Sequence, residues 1–256
     1  MSDATFVEVN GQKTRVQEMG TGDPVVLLHG WGGRIESMAP AARCLSAAFR
    51  VIAMDLPGFG DSPPPEGAWG TPDYAIFVRD VLAERGIERA HMVGHSYGGK
   101  VALFLGATHP ELVDKLVLVD ASGVKTPPSL KTRAKRAAST AAKTAGRLGP
   151  PGRKVKQAVF ERIASKDYQD AGAMRPILVR VVNEDLTPLM PRVKSPTLLV
   201  WGDQDRDTPV SHGRRMESLI RGSGLVVFEG AGHFSYLDQA DRFCRVVRHF
   251  LGAPLS

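Results

Sequence analysis

His91-Met92-Val93-Gly94-His95-Ser96-Tyr97-Gly98-Gly99 leads from one short apolar run into another, Val101-Ala102-Leu103-Phe104-Leu105. It reads as a strand that turns sharply into a helix, and its centre matches Gly-x-Ser-x-Gly. A serine on such a turn projects its hydroxyl outward, and glycines two residues to either side relieve the crowding there. Gly99, one residue further on, lets the helix pack close. A glycine-rich turn with an idle serine is spelled the same way, so the weight lies in the flanks: strand before, helix after.

The chain on either side continues that alternation. Phe6-Val7-Glu8-Val9 and Thr14-Arg15-Val16-Gln17 flank Asn10-Gly11, the favoured dipeptide of a tight hairpin. Further strand-like runs are Val25 to Leu28, Val51 to Met54, His91 to Val93, Lys115 to Val119, Thr197 to Val200 and Leu225 to Phe228. Several are apolar throughout, as expected of parallel strands covered on both faces. Helical spacing marks Thr71 to Arg85, Val101 to Thr108 and Asp238 to Leu251. The first of these has Thr71 as a plausible N-cap, Pro72 as the first helical residue and Asp73 in the first turn. Strands alternating with helices predict a parallel sheet, here begun by an antiparallel hairpin. From about Val124 to Lys194 no strand is legible, and Ala, Lys and Arg dominate the first half. That interval reads as a helical insertion between two core strands.

Composition sets the outer bounds. A chain of 256 residues with 43% hydrophobic and 23% charged residues is neither disordered nor fibrous, and two cysteines make no disulfide scaffold. Cys44 and Cys244 fit no C-x-x-C spacing, so the expectation is two buried free thiols in a reducing compartment. The opening Met1-Ser2-Asp3-Ala4-Thr5-Phe6 lacks a secretion signal's basic start and apolar run. No apolar run nears the ~18 residues of a membrane helix. A cytoplasmic protein is expected.

A lone serine hydroxyl is a weak nucleophile; it needs a base within hydrogen-bond reach and a carboxylate to orient that base. Two strand ends downstream supply candidates, Trp201-Gly202-Asp203-Gln204-Asp205 and Gly230-Ala231-Gly232-His233-Phe234. Ser96, an aspartate and His233 would then each follow a different parallel strand, on the sheet edge where ligands of such folds bind. His91, His109, His212 and His249 lack a comparable context, His29 reads as structural, and His95 should point away from the cleft. The acid is Asp205 by preference, since its later loop position has more freedom to turn back; Asp203, Asp207 and Asp120 are the alternatives. The oxyanion formed in acyl transfer needs donors. One is expected from the Tyr97 N–H, the other from the Trp31 N–H in His29-Gly30-Trp31-Gly32-Gly33. The Trp31 side chain could line the acyl pocket or simply pack.

Those motifs, with Asp55-Leu56-Pro57-Gly58-Phe59-Gly60-Asp61-Ser62, together resemble the α/β-hydrolase fold superfamily. The resemblance implies an α/β fold: a mostly parallel eight-stranded sheet flanked by helices, with a helical cap inserted after strand 6. Residues 1–123 and 193–256 would form the core and 124–192 the cap. It also supports Asp205 as the acid, and makes Asp55 to Ser62 a rigid turn near the site rather than a source of catalytic groups. Serine at 96 disfavours the haloalkane dehalogenases and epoxide hydrolases of this fold, which use aspartate there. It leaves esterases, thioesterases, lactonases, haloperoxidase-like enzymes and hydrolases of carbon–carbon bonds in dienone acids. The activity implied is a serine esterase acting through an acyl-enzyme, with no metal or organic cofactor. A non-enzymatic ligand sensor on the same fold is the alternative from another class.

The net charge of +6 is local. Lys125 to Lys156 holds ten Lys and Arg and no acidic residue, leaving the remainder negative. Within it, Lys131 to Leu148 puts Ala134, Ala137, Ala138, Ala141, Ala145 and Leu148 on one helical side, with Arg136, Lys143 and Arg147 opposite. This is either a solvated face over an alanine-packed one, or a guide for an anionic or carrier-linked acyl substrate. An alanine face argues against membrane contact, and the absence of aromatic residues argues against nucleic acid.

Overall fold

The computed structural model describes residues 4–125, 168 and 170–253. Eight strands form one sheet in the order β1-β2-β4-β3-β5-β6-β7-β8. They are β1 (Thr5–Val9), β2 (Gln12–Met19), β3 (Pro24–Leu28), β4 (Arg50–Met54), β5 (Ala90–His95), β6 (Val113–Val119), β7 (Thr197–Gly202) and β8 (Ser223–Phe228). β1 and β2 pair antiparallel across the hairpin, with Val9 opposite Gln12, and β2 runs antiparallel to β4. Asn10 and Gly11 both take positive φ, as a two-residue hairpin turn requires. The pairs from β4 to β8 are parallel.

The helices described are α1 (Ala39–Leu45), α2 (Thr71–Glu84), α3 (Ser96–Thr108), α4 (Arg175–Asn183), α5 (Val210–Leu219), α6 (Ser235–Asp238) and α7 (Ala240–Leu251). Successive strand side chains alternate between the two faces of the sheet. Val26 and Leu28 of β3, with Leu116 and Leu118 of β6, enter the layer shared with α2 and α3. Val25, Leu27, Val117 and Val119 enter the opposite layer, with α1 and α7. Burial on both sides is why these strands are apolar throughout. The parallel register brings the carboxyl ends of β3, β5, β6, β7 and β8 to one edge, and the site residues lie just beyond it.

Three expectations change. The N-cap of α2 is Gly70, not Thr71, which is the first helical residue. The Asp73 carboxylate accepts the Gly70 N–H at 2.6 Å, which moves the boundary back by one residue. The helix that follows the Gly-x-Ser-x-Gly turn starts at Ser96 rather than Val101, because the turn occupies a single residue. Third, Cys44 and Cys244 are not free thiols: they form a disulfide joining α1 to α7, their Cα atoms 5.9 Å apart. Distance along the chain hid the pair, whereas packing of the two helices on the same sheet face brings it together. Disulfides persist chiefly in oxidising compartments, so the cysteines no longer support a cytoplasmic placement.

β6 and β7 are separated by an insertion, of which α4 is the main described part. The basic helix expected at Lys131 to Leu148 lies outside the described residues. Among the described residues, no helix is long and apolar enough to cross a membrane.

The disulfide closes a loop of 200 residues. Constraining the unfolded chain over so long a loop contributes about 2–5 kcal/mol, or about 4–10 °C in Tm for a chain of 256 residues. Thermal melts with and without reductant, or of Cys44→Ser, should show that loss. Equal melting temperatures, with two titratable thiols in the untreated protein, would dismiss the bond.

Candidate active site

Ser96 sits at the junction of β5 and α3 with φ +50°, in the left-handed region. Such a conformation costs on the order of 1–3 kcal/mol and persists only where the surroundings enforce it. Its neighbours do so by close approach. A Cβ on Gly94 would lie 2.5 Å from the Gly98 carbonyl oxygen, and one on Gly98 would lie 2.2 Å from that of Leu28. Both positions therefore exclude any side chain. The tight packing of turn against β3 lifts the serine hydroxyl out of the sheet edge.

The hydroxyl lies 3.0 Å from His233 Nε2. The other ring nitrogen, Nδ1, is 2.8 Å from Asp205 Oδ2. With Nδ1 donating to the carboxylate, Nε2 is left as the acceptor for the serine proton. Asp205 is buried, and its oxygens are fully engaged. Oδ1 accepts the backbone N–H groups of Asp207 at 2.8 Å and Thr208 at 2.9 Å, and the Thr208 hydroxyl lies 2.7 Å from Oδ2. Burial pushes the Asp205 pKa up, but the hydrogen bonds from His233 and Thr208 outweigh it and the net shift is downward. For His233 burial pulls the pKa down, and the hydrogen bond and charge of Asp205, with smaller help from Asp120 and Asp207, raise it overall. The pair is thus built to favour an imidazolium beside a carboxylate.

The alternative acids have other partners. Asp203 accepts the Gly230 N–H at 2.8 Å, tying the β7 loop to the loop that carries His233. Asp120 directly follows β6, is fully buried, and brackets both loops. Its Oδ1 accepts the Gly202 N–H at 2.8 Å, and its Oδ2 accepts the Ser235 N–H at 3.1 Å and hydroxyl at 2.6 Å. Burial raises its pKa to about 7 despite those donors. Asp205, Asp207 and His233 offer ligand atoms within 4.8 Å of one another, as a cation site would, yet the oxygens of Asp205 are already spent on orienting the imidazole.

His29 accepts the Leu56 N–H at Nε2, 3.0 Å away, and so braces the turn that begins with it. His95, expected to point away from the cleft, instead borders it with its ring 5.0 Å from that of His233; it donates from Nε2 to the His233 carbonyl at 2.7 Å, and burial lowers its pKa to about 3, so it stays neutral. Asp55 accepts the Ile35 and Asp61 N–H groups and braces its turn. His212, set aside on sequence grounds, lines the cavity from the first turn of α5.

Gly30, Trp31, Ser96, Tyr97 and His233 border a cavity of about 1010 Å³ among the described residues. The Tyr97 N–H belongs to the first turn of α3, where helical donors have no intrahelical acceptor. The Trp31 ring both lines the cavity and packs, edge-on, against Phe59 at 4.8 Å and Tyr97 at 5.7 Å. Sequence reasoning missed the parts played by Asp120 and Thr208. One follows a core strand on the site edge and the other stands three residues past Asp205, positions that mark both as near the site without assigning their partners.

The sequence profile of the alpha/beta hydrolase family matches residues 25–246. The chain belongs to that family. This alpha/beta hydrolase is 29% identical to a 2-hydroxymuconate semialdehyde hydrolase of Pseudomonas putida, over 94% of its own length and 91% of the relative's. It is 28% identical to a pimeloyl-[acyl-carrier protein] methyl ester esterase of Aliivibrio fischeri, over 92% and 96%. Among solved structures it is similar to a bacterial membrane phospholipase A, at 28% identity and a TM-score of 0.78, covering 97% of this chain and 85% of that one.

Two outcomes test the geometry. A base must be neutral to accept a proton, so kcat/KM should fall on acidification through an apparent pKa above the ordinary histidine value of 6.5. Asp205→Asn should shift that midpoint downward and reduce kcat by up to ~10⁴, while Asp203→Asn stays within about threefold of wild type. The reverse ranking would move the acid to position 203. Separately, Asp120→Asn sets an amide NH2 against N–H donors and removes a carboxyl group that, when ionised, raises the pKa of His233. A pH profile should show its acid limb displaced to lower pH together with a drop in kcat of roughly 10- to 100-fold; an unmoved limb would leave Asp120 a purely structural bracket.

Proposed function

We propose that this hydrolase is a serine esterase that cleaves a small carboxylic ester, or a related thioester or lactone, through an acyl-enzyme. The observation that carries the reading is the continuous hydrogen-bonded path from Ser96 Oγ through His233 to Asp205. Ser96 Oγ attacks the carbonyl carbon as its proton passes to His233 Nε2. The resulting oxyanion is held by the Trp31 and Tyr97 N–H groups, each worth about 10²–10³ in rate. Collapse of the tetrahedral species expels the alcohol, which leaves with the proton held on His233. Water then attacks the acyl-enzyme with His233 as base, and the carboxylic acid is released. Asp205 stabilises the imidazolium in both halves and keeps the ring in the correct tautomer.

The substrate is a small acyl compound, anionic or carrier-linked in keeping with the basic run from Lys125 to Lys156. The similarity to an esterase of a carrier-bound methyl ester supports that class. A second reading, carbon–carbon hydrolysis of dienone acids, is favoured by the similarity to the P. putida semialdehyde hydrolase.

A fluorophosphonate probe should label the wild type at Ser96 and leave Ser96→Ala unlabelled, folded and inactive. A panel of esters, thioesters, lactones and a 2-hydroxy-6-oxo-dienoate, varied in chain length and charge, then separates the readings. Retained turnover in Ser96→Ala would remove the nucleophile. One slow turnover with product tightly held would indicate a sensor.

A further inference from the structure

Lys100 stands four residues after Ser96 on α3, one helical turn along the same face, and is only 3% exposed. A buried ammonium is costly unless it is fully partnered. Its partners all come from the insertion. Nζ donates to the Val181 carbonyl at 2.5 Å and the Glu184 carbonyl at 2.9 Å, and lies 3.9 Å from Glu184 Oε2. The Val181 carbonyl belongs to the last turn of α4, where helix carbonyls lack intrahelical donors and a cation is favoured. The Glu184 carboxylate in turn accepts the Thr71 N–H at the start of α2. One side chain therefore stitches the nucleophile helix to α4, and through Glu184 to α2. The same α4 supplies Leu178, Val181 and Val182 to the lining of the cavity that Ser96, Trp31 and Tyr97 border, and Lys100 and Glu184 reach that lining themselves.

We infer that Lys100 is a positioning residue that fixes α4 against the cavity and thereby sets which apolar acyl chains the site accepts, medium-length chains over acetyl. This deepens the serine-esterase reading and rests on it. A methionine or leucine would fill the same volume without a charge to satisfy. Releasing the last turn of α4 loosens the wall made by Leu178 and Val181. A long chain has the apolar surface to pack on that wall, whereas an acetyl group offers a single methyl and depends on it least.

The readout is the ratio of kcat/KM for p-nitrophenyl octanoate to that for the acetate. In Lys100→Met it should fall about tenfold or more, mainly through a higher KM for octanoate, as expected when charge-assisted hydrogen bonds to a helix end are lost. Lys100→Arg, which keeps the cation, should recover most of it. Wild-type protein provides a second measurement that needs no folded variant. Burial lowers the Lys100 pKa to about 8 and Lys125 pushes the same way, while Glu184 and Asp185 oppose it. Tyr97, the titratable neighbour on its own helix, is raised far above its usual range by burial. The ammonium is thus present below about pH 8 and lost above it, and the selectivity ratio should decline between about pH 7 and about pH 9.5. Titration of His233 affects both esters and cancels in the ratio. A ratio that stays constant in Lys100→Met, or across pH if that variant does not fold, overturns the inference while leaving the esterase reading intact. Equal losses for both esters with slowed phosphonylation of Ser96 would also overturn it. Absence of wild-type turnover on either ester would instead bring down the esterase reading first.

Discussion

A side chain at position 98 would drive its Cβ to 2.2 Å from the Leu28 carbonyl oxygen. That exclusion, shared with position 94, is the constraint on which the site depends. It lets the turn after β5 lie directly on the end of β3, which holds Ser96 at a positive φ and sets the first turn of α3 beside the loop that follows β3. The proposed nucleophile and both proposed oxyanion donors therefore share one rigid junction of backbone. Catalysis by preorganised dipoles requires that rigidity, because donors that must first reorient return little.

The charged half of the site is secured differently. Asp205 and Asp120 are both buried carboxylates, but their surroundings push them apart. The donors around Asp205, including the imidazole, outweigh its desolvation and keep it ionised. Asp120 receives its donors from backbone and serine groups, and burial prevails. One carboxylate faces the His233 imidazole; the other binds together the two loops that carry Asp205 and His233. His95 adds a third tie by gripping the His233 carbonyl. The imidazole is thus positioned through its ring and through its backbone.

The opposite face of the sheet is held together covalently as well. There α1 and α7, from near the two ends of the chain, pack together and are joined by Cys44 and Cys244. The stability supplied on that side leaves the carboxyl edge free to hold strained backbone and buried charge, which both work against folding.

The eight strands, their order along the chain, the hairpin at Asn10-Gly11 and the Gly-x-Ser-x-Gly turn were legible from sequence because each rests on local physics: apolar runs that suit two-sided burial, and glycine where no side chain fits. The candidate Ser96, Asp205 and His233 were legible for a related reason, since parallel strands must end on one edge. Three things were not legible. The disulfide joins residues 200 positions apart, and nothing short of helix packing brings them together. Asp120 and Thr208 are ordinary residues in sequence and acquire a role only from the loops that converge on them. Lys100 resembles a solvent-facing helix residue in sequence, yet the insertion folds over it and turns its charge inward. Local pattern settles which segments form and which residues could react; the partners of a buried charge depend on contacts between distant segments, which no local pattern encodes.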